Sequence, residues 1–355
     1  MTTRLACAVV AMLLVSCSQT AAPSPVLAGT AAPPAAAIAT TGQATPSPLA
    51  EPRPSGSLTV TLKEFSVPAG SGPHDVAPAA DGGVWYTAQR SGELGWLDPK
   101  TGQTKRVKLD PGSAPHGVIV GPDGAPWITD GGLNAIVRVD PKSSEVRVFK
   151  LRDQNVGLNT ATFDKQGKLW WTGQNGWYGS LNVAGNESNV RGFQAPRGPG
   201  PYGITTTPTG EVYYASLAGS HIARVDVASA KATPIDPPTK DQGARRVWSD
   251  SKGVVWVSEW NAGQLGRYDP KSGQWKEWKL PGARPQAYAV FVDDKDVVWL
   301  ADWGASAIVR FDPATERFDP FPHAPNGGVR QLHGRPGEVW GALSALDKLI
   351  VLTTR

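Results

Sequence analysis

A turn, a Gly, two further positions and then an aromatic residue return along this chain at a nearly fixed interval, and no other feature limits its fold as strongly. The motif reads Asp81-Gly82-Gly83-Val84-Trp85, then Asp123-Gly124-Ala125-Pro126-Trp127, then Gln166-Gly167-Lys168-Leu169-Trp170, and continues through Tyr213, Trp256, Trp299 and Trp340. Successive aromatics lie 42, 43, 43, 43, 43 and 41 residues apart. A period in that range marks one propeller blade per repeat, because a single small sheet cannot bury its own faces and must stack on neighbours.

The second repeat shows the content of one blade. His116 to Val120 alternates as an inner strand, Asp123-Gly124 is a tight turn, and Ala125 to Thr129 is a second strand with Trp127 wedged between blades. Asn134 to Asp140 reads as a third strand, Asp140-Pro141-Lys142-Ser143 supplies turn chemistry, and Glu145 to Leu151 is the outermost strand. The Asp-Pro turn returns at Asp98-Pro99, Asp269-Pro270 and Asp312-Pro313. Leu58 to Val67 resembles an outer strand such as Trp275 to Lys279, whereas Lys348 to Thr353 reads as a third strand that lacks a fourth. The N-terminal strand is therefore expected to complete the last blade, closing an all-β, seven-bladed propeller of four-stranded antiparallel blades over residues 58–355 without an open edge.

Composition agrees and excludes some functions. The chain of 355 residues carries 40 Gly, 32 Pro and 14 Trp, and no long stretch has helical periodicity. Its net charge of +4 comes from 35 basic and 31 acidic residues spread through the repeats, which argues against a nucleic-acid partner. A monomeric ring with a small molecule in its central channel is the expectation.

The N-terminus reads as targeting. Arg4 precedes an apolar run, Leu5 to Val15, too short for a stable bilayer span, and Leu14-Val15-Ser16-Cys17 follows. That quartet resembles a bacterial lipoprotein box, which implies a signal peptide over 1–16 and a lipid on Cys17; the alternative is an ordinary secretory signal. Residues 17–57, rich in Ala, Pro and Thr, lack the apolar content to fold and read as a flexible tether. The ring is thus expected on the extracytoplasmic side of the bacterial cell envelope, held to the membrane through Cys17. The only other cysteine, Cys7, falls in the signal, so no internal disulfide is expected.

Gly72-Pro73-His74-Asp75-Val76, Ala114-Pro115-His116-Gly117-Val118, Trp256 to Gly263 and Asp302-Trp303-Gly304-Ala305 resemble segments of the virginiamycin B lyase family. The resemblance implies a carbon–oxygen lyase that opens a cyclic ester by elimination, with Mg²⁺ stabilising the enolate and a His taking the α-proton. Carried over in chain order, the family's two His fall on Tyr288 and Val329 and its two Glu on Gly327 and Leu343, none of which has the required chemistry. A pseudo-symmetric ring offers a shifted site. His74 and His116 are 42 apart and Asp130 lies fourteen after His116, although Ala114 occupies the fourth position.

Two sequence rings are expected at the channel. Eleven residues before each anchor aromatic stand His74, His116, Asn159, Tyr202, Arg245, Tyr288 and Val329; three after each stand Ala88, Asp130, Gly173, Ser216, Glu259, Asp302 and Leu343. The leading expectation places His116 and His74 in catalysis and Asp130, Glu259 and Asp302 around Mg²⁺. Tyr202, Arg245, Tyr288, Trp260 and Trp303 would then contact substrate. Each has a structural alternative, since a Pro-His turn can pack an imidazole on backbone, carboxylates can cap amides, and the Trp residues can pack between blades. Arg245 would compete with a metal for carboxylates and would equally suit an anion. Two other classes stand beside the lyase: a gluconolactonase-like lactonase with Ca²⁺, for which Asn159 is the only ring Asn, and a non-catalytic binding propeller of the envelope.

Overall fold

A computed structural model describes residues 59–184 and 189–354; the expected signal segment, Cys17 and the tether lie outside them. Seven sheets of four antiparallel strands form a seven-bladed β-propeller. The inner strands are Pro73–Pro78, Pro115–Val120, Leu158–Phe163, Pro201–Thr206, Ala244–Ser249, Ala287–Val292 and Val329–Arg335, and they define blades 1 to 7 in chain order. In blade 7 the outermost strand is Val60–Ser66, paired antiparallel with Lys348–Thr354, so the first strand of the chain closes the ring as the sequence requires.

The anchor aromatics are the largest buried side chains, with Trp170, Trp256, Trp299, Trp340 and Tyr213 at 1% exposure or less. A buried indole N–H needs an acceptor. The preceding turn supplies one: Trp170, Trp256 and Trp299 donate to Asp164, Asp250 and Asp293 at 2.8, 3.1 and 2.8 Å. The other oxygen of each Asp accepts turn amides, as Asp164 does from Gln166 and Lys168. This doubly used carboxylate explains the acid that stands six residues before three of the seven anchors, Trp170, Trp256 and Trp299.

Every inner strand breaks register with its neighbour at the same place, just after its first residue. Such bulges re-aim one or two side chains and leave a ladder amide unpaired. Strand-two hydroxyls take up these amides and bridge to the next blade: Thr87 accepts from Asp75 N at 3.0 Å and donates to the His116 carbonyl at 2.8 Å. Thr129 and Ser258 repeat the bridge, to the carbonyls of Asn159 at 2.5 Å and Tyr288 at 2.7 Å. The bulges therefore form a rigid collar around the channel.

Candidate functional site

The collar holds two layers of side chains. Its deeper layer is a charged bridge between blades far apart in sequence. Arg246 of blade 5 reaches Asp75 of blade 1 through Nη2 to Oδ1 at 3.1 Å and Nη1 to Oδ2 at 3.3 Å, and Nη1 also donates to Thr160 of blade 3 at 2.9 Å. Both partners are buried. Burial opposes ionisation of Asp75, yet Arg246 and the hydrogen bond from His74 outweigh it and hold the carboxyl far below its ordinary value.

His74 Nδ1 donates to Asp75 Oδ1 at 2.8 Å, and the His74 and His116 rings meet with centroids 3.9 Å apart and planes tilted by 45°. Burial, and then the neighbouring His74, push the His116 imidazole well below its ordinary value, so it is neutral at pH 7. Its Nδ1 is buried without a partner, and Asn159 lies at 3.4 Å from Nε2. The structure thus brings the two expected His together, 8% exposed or less, although they come from different blades.

The outer layer is positive and aromatic. Tyr202 and Tyr288 share a hydrogen bond between hydroxyls 2.7 Å apart; Arg245 Nη2 donates to Tyr202 at 3.1 Å and Arg330 Nη1 to Tyr288 at 3.3 Å. The Arg245 guanidinium lies 3.6 Å from the Tyr288 ring centre and 5.0 Å from that of Trp260, while Arg330 covers Trp303 at 5.1 Å. Tyr288 stacks on Trp303 with centroids 4.6 Å apart. Burial pushes Tyr202 up to about 12. Burial also acts to raise Tyr288, but Arg245, Arg246, the Tyr202 hydrogen bond and Arg330 together hold its phenol below the ordinary value.

The three carboxylates expected around a metal are placed elsewhere. Asp130 accepts from Ser113 Oγ and from the amides of Ala114 and Leu133, both at 2.9 Å; Asp302 accepts from Gln286 N at 2.8 Å and Gly304 N at 2.9 Å. They staple strand ends, because residues three after the anchor pair with the residue just before each bulge. Glu259 packs over Gly266, where a Cβ would clash with Oε1, and both its oxygens are buried without hydrogen bonds. Desolvation, with a smaller contribution from Glu277, pushes it up to about 9, so it is an uncharged acid.

The seventh ring residue is Arg330, not Val329: Val329 pairs with Leu343, whereas Pro73 pairs with Ala88, so the hairpin of blade 7 is one residue shorter. Val329 and Leu343 are fully buried and apolar, and cannot take the family's His and Glu roles. Repeat spacing marks one channel residue per blade, and Asp75 and Arg246 lie one position beyond it, where the bulges bring a second residue to the channel.

Among the described residues, the one group of three His, Cys, Asp or Glu close enough to share a metal is His74, Asp75 and His116. It does not fit Mg²⁺. Two of three donors are imidazoles, while Mg²⁺ demands oxygen ligands in near-octahedral array, and both Asp75 oxygens already accept from the Arg246 cation.

The fold is thus a seven-bladed propeller whose inner strands enclose a channel, with a cluster of His, Tyr and Arg side chains at the start of those strands. The profile of the virginiamycin B lyase family matches residues 60–344, and the chain belongs to that family. Among solved structures it is similar to a catalytically inactive virginiamycin B lyase from Staphylococcus aureus with quinupristin, at 21% identity over 83% of this chain and 99% of that one, with a TM-score of 0.77. A streptogramin B lyase gives 23% identity, 83% and 98% coverage and a TM-score of 0.76. YCF48 bound to D1 peptide is also similar, at 14% identity, 83% and 96% coverage and a TM-score of 0.64. These identities carry the fold alone. A search of curated protein sequences finds no significant match.

Proposed function

We propose that this chain is a ligand-binding member of the family that takes a planar anion at the start of its channel, between Arg245 and Arg330, without metal-assisted elimination. One observation carries the reading: neither arginine makes an ion pair with a carboxylate among the described residues, and both lie against aromatic faces. Two uncompensated guanidiniums in a half-buried aromatic frame favour an incoming carboxylate or similar oxyanion, which they can bind in bidentate fashion while its flat body stacks on Trp260 or Trp303. The same reading keeps the ring at the cell envelope, tethered through a lipid on Cys17.

Titration with benzoate, followed by tryptophan fluorescence, tests it. Saturable quenching, weaker at high salt and at least about tenfold weaker in Arg245→Ala and Arg330→Ala, is the expected result, one decade being about 1.4 kcal/mol. Absence of saturable quenching in the parent protein would sink the reading.

A second reading, elimination with His116 as proton acceptor, draws on that residue's neutrality and its partnerless Nδ1. Quinupristin incubated with the protein and Mg²⁺ or Ca²⁺ distinguishes the two. Ring opening would appear as a chromatographic shift at unchanged mass, and its loss in His116→Ala would restore the lyase reading.

A further inference from the structure

The Asp75–Arg246–Thr160 bridge crosses the channel and divides it. On the far side, towards the ends of the inner strands, lies a chamber of about 410 Å³ framed by inner-strand residues of all seven blades. None of the expected site residues lines it.

Its lining differs in kind from the positive mouth. The bridge at its floor is a neutral pair, and Lys165, exposed at its rim, makes no ion pair among the described residues. Asp164, also in the lining, spends its oxygens on Gln166 N, Lys168 N and the Trp170 indole, whereas several uncharged polar groups are incompletely used. His333 Nδ1 donates to the Gly334 carbonyl at 3.3 Å, which leaves Nε2 as an acceptor with no partner among the described residues. Burial pushes this imidazole down to about 4, so that acceptor persists at neutral pH. Gln331, 7% exposed, uses its carbonyl oxygen on Val76 N at 3.0 Å and leaves its amide hydrogens unpartnered. The hydroxyls of Thr162 and Thr206 lie 3.2 Å apart, so one donates to the other and the accepting hydroxyl keeps its own O–H to donate. Trp248 stands edge-on to Phe291 and His333 at 5.0 and 5.1 Å, which fixes its indole as a flat wall.

We infer that this chamber is a second ligand site, built for a neutral, polyhydroxylated ring of monosaccharide size. Fixed donors and acceptors in mixed array reward a ligand whose groups do both, and an aromatic wall accepts the C–H face of a sugar ring. A charged ligand gains no ion pair from the floor, where Asp75 and Arg246 neutralise each other. The site is independent of the anion reading, since it lies beyond the bridge.

The test is calorimetric titration of the full chain with glucose, galactose and mannose, each to about 10 mM, ten times a dissociation constant of about 1 mM. At least one hexose is expected to bind saturably, with tenfold or greater weakening in His333→Phe and in Thr162→Val and no change in Arg330→Ala. Thermal melts show whether each variant folds; if His333→Phe does not, Thr162→Val and Trp248→Phe carry the test. No saturable binding of any of the three hexoses, or binding lost in Arg330→Ala but kept in the chamber variants, overturns the inference.

Discussion

The two ends of one channel have been built from the same seven strands and have opposite chemistry. At the start of the strands Arg245 and Arg330 leave positive charge uncompensated, and Tyr202, Tyr288, Trp260 and Trp303 surround it. At the far end, Thr162, Thr206, Trp248, Gln331 and His333 present neutral groups. What separates them is one ion pair. The lesson is that a pseudo-symmetric ring diversifies by substitution at equivalent bulges, while its hydroxyl bridges and anchor indoles keep the frame constant. A buried pair at the ring's centre is costly to desolvate and gives little net stability, so the bridge is better understood as a divider than as a staple.

Breaking the divider gives the largest expected effect. Asp75→Asn leaves Arg246 buried and unpaired, a change that costs about 3–5 kcal/mol, read as a lower denaturant midpoint at unchanged slope. The sign with pH follows from the depressed folded value of Asp75: its contribution is complete above the ordinary carboxylate value of 3.8 and fades as pH falls below that towards the folded value. The gap between parent and variant should therefore close in acid. A gap that persists unchanged at low pH would show that Asp75 acts through packing instead.

Glu259→Gln is the smaller, opposite change and sharpens the comparison because Glu259 lies in neither chamber. The folded value of about 9 exceeds the ordinary 4.5, so folding requires proton uptake, and the penalty grows as pH rises between those two values. An uncharged Gln removes it. Stability should rise by about 1–3 kcal/mol at pH 8 and by little at pH 4, with ligand binding at both ends unchanged. Destabilisation at pH 8 would mean that the carboxyl has a partner the structure does not reveal.

The frame was legible in the sequence because it is periodic. Anchors such as Trp256 and turns such as Asp250 to Gly253 recur with fixed spacing, and the missing fourth strand after Lys348 announced closure by the N-terminal strand. Six of the seven outer-ring residues were legible for the same reason, and Arg330 was displaced from its counted position only by a shortened hairpin. The divider was not legible. Asp75 and Arg246 are adjacent in space but 171 residues apart, and nothing local indicates that the bulges carry a second residue into the channel. The carboxylates misled because spacing gives position on a strand but not the direction of a side chain: Asp130 and Asp302 turn to nearby amides, and Glu259 turns into the blade.

The smallest expected effect tests whether the mouth's charge is free. With no ligand, Arg245 and Arg330 favour the Tyr288 phenolate, because it is the negative charge nearest to hand. A bound carboxylate takes over that compensation, so the phenolate loses its advantage and Tyr288 recovers part of a proton. Anion binding should therefore draw protons from the buffer, increasingly as pH rises towards the phenol's depressed value. Benzoate titrations in two buffers of different ionisation enthalpy, repeated at rising pH, measure the uptake, expected to grow with pH and to be abolished in Tyr288→Phe. Binding with the same heat in both buffers would mean that the arginines meet the anion without involving Tyr288, and that the two ends of the channel differ in charge but not in proton linkage.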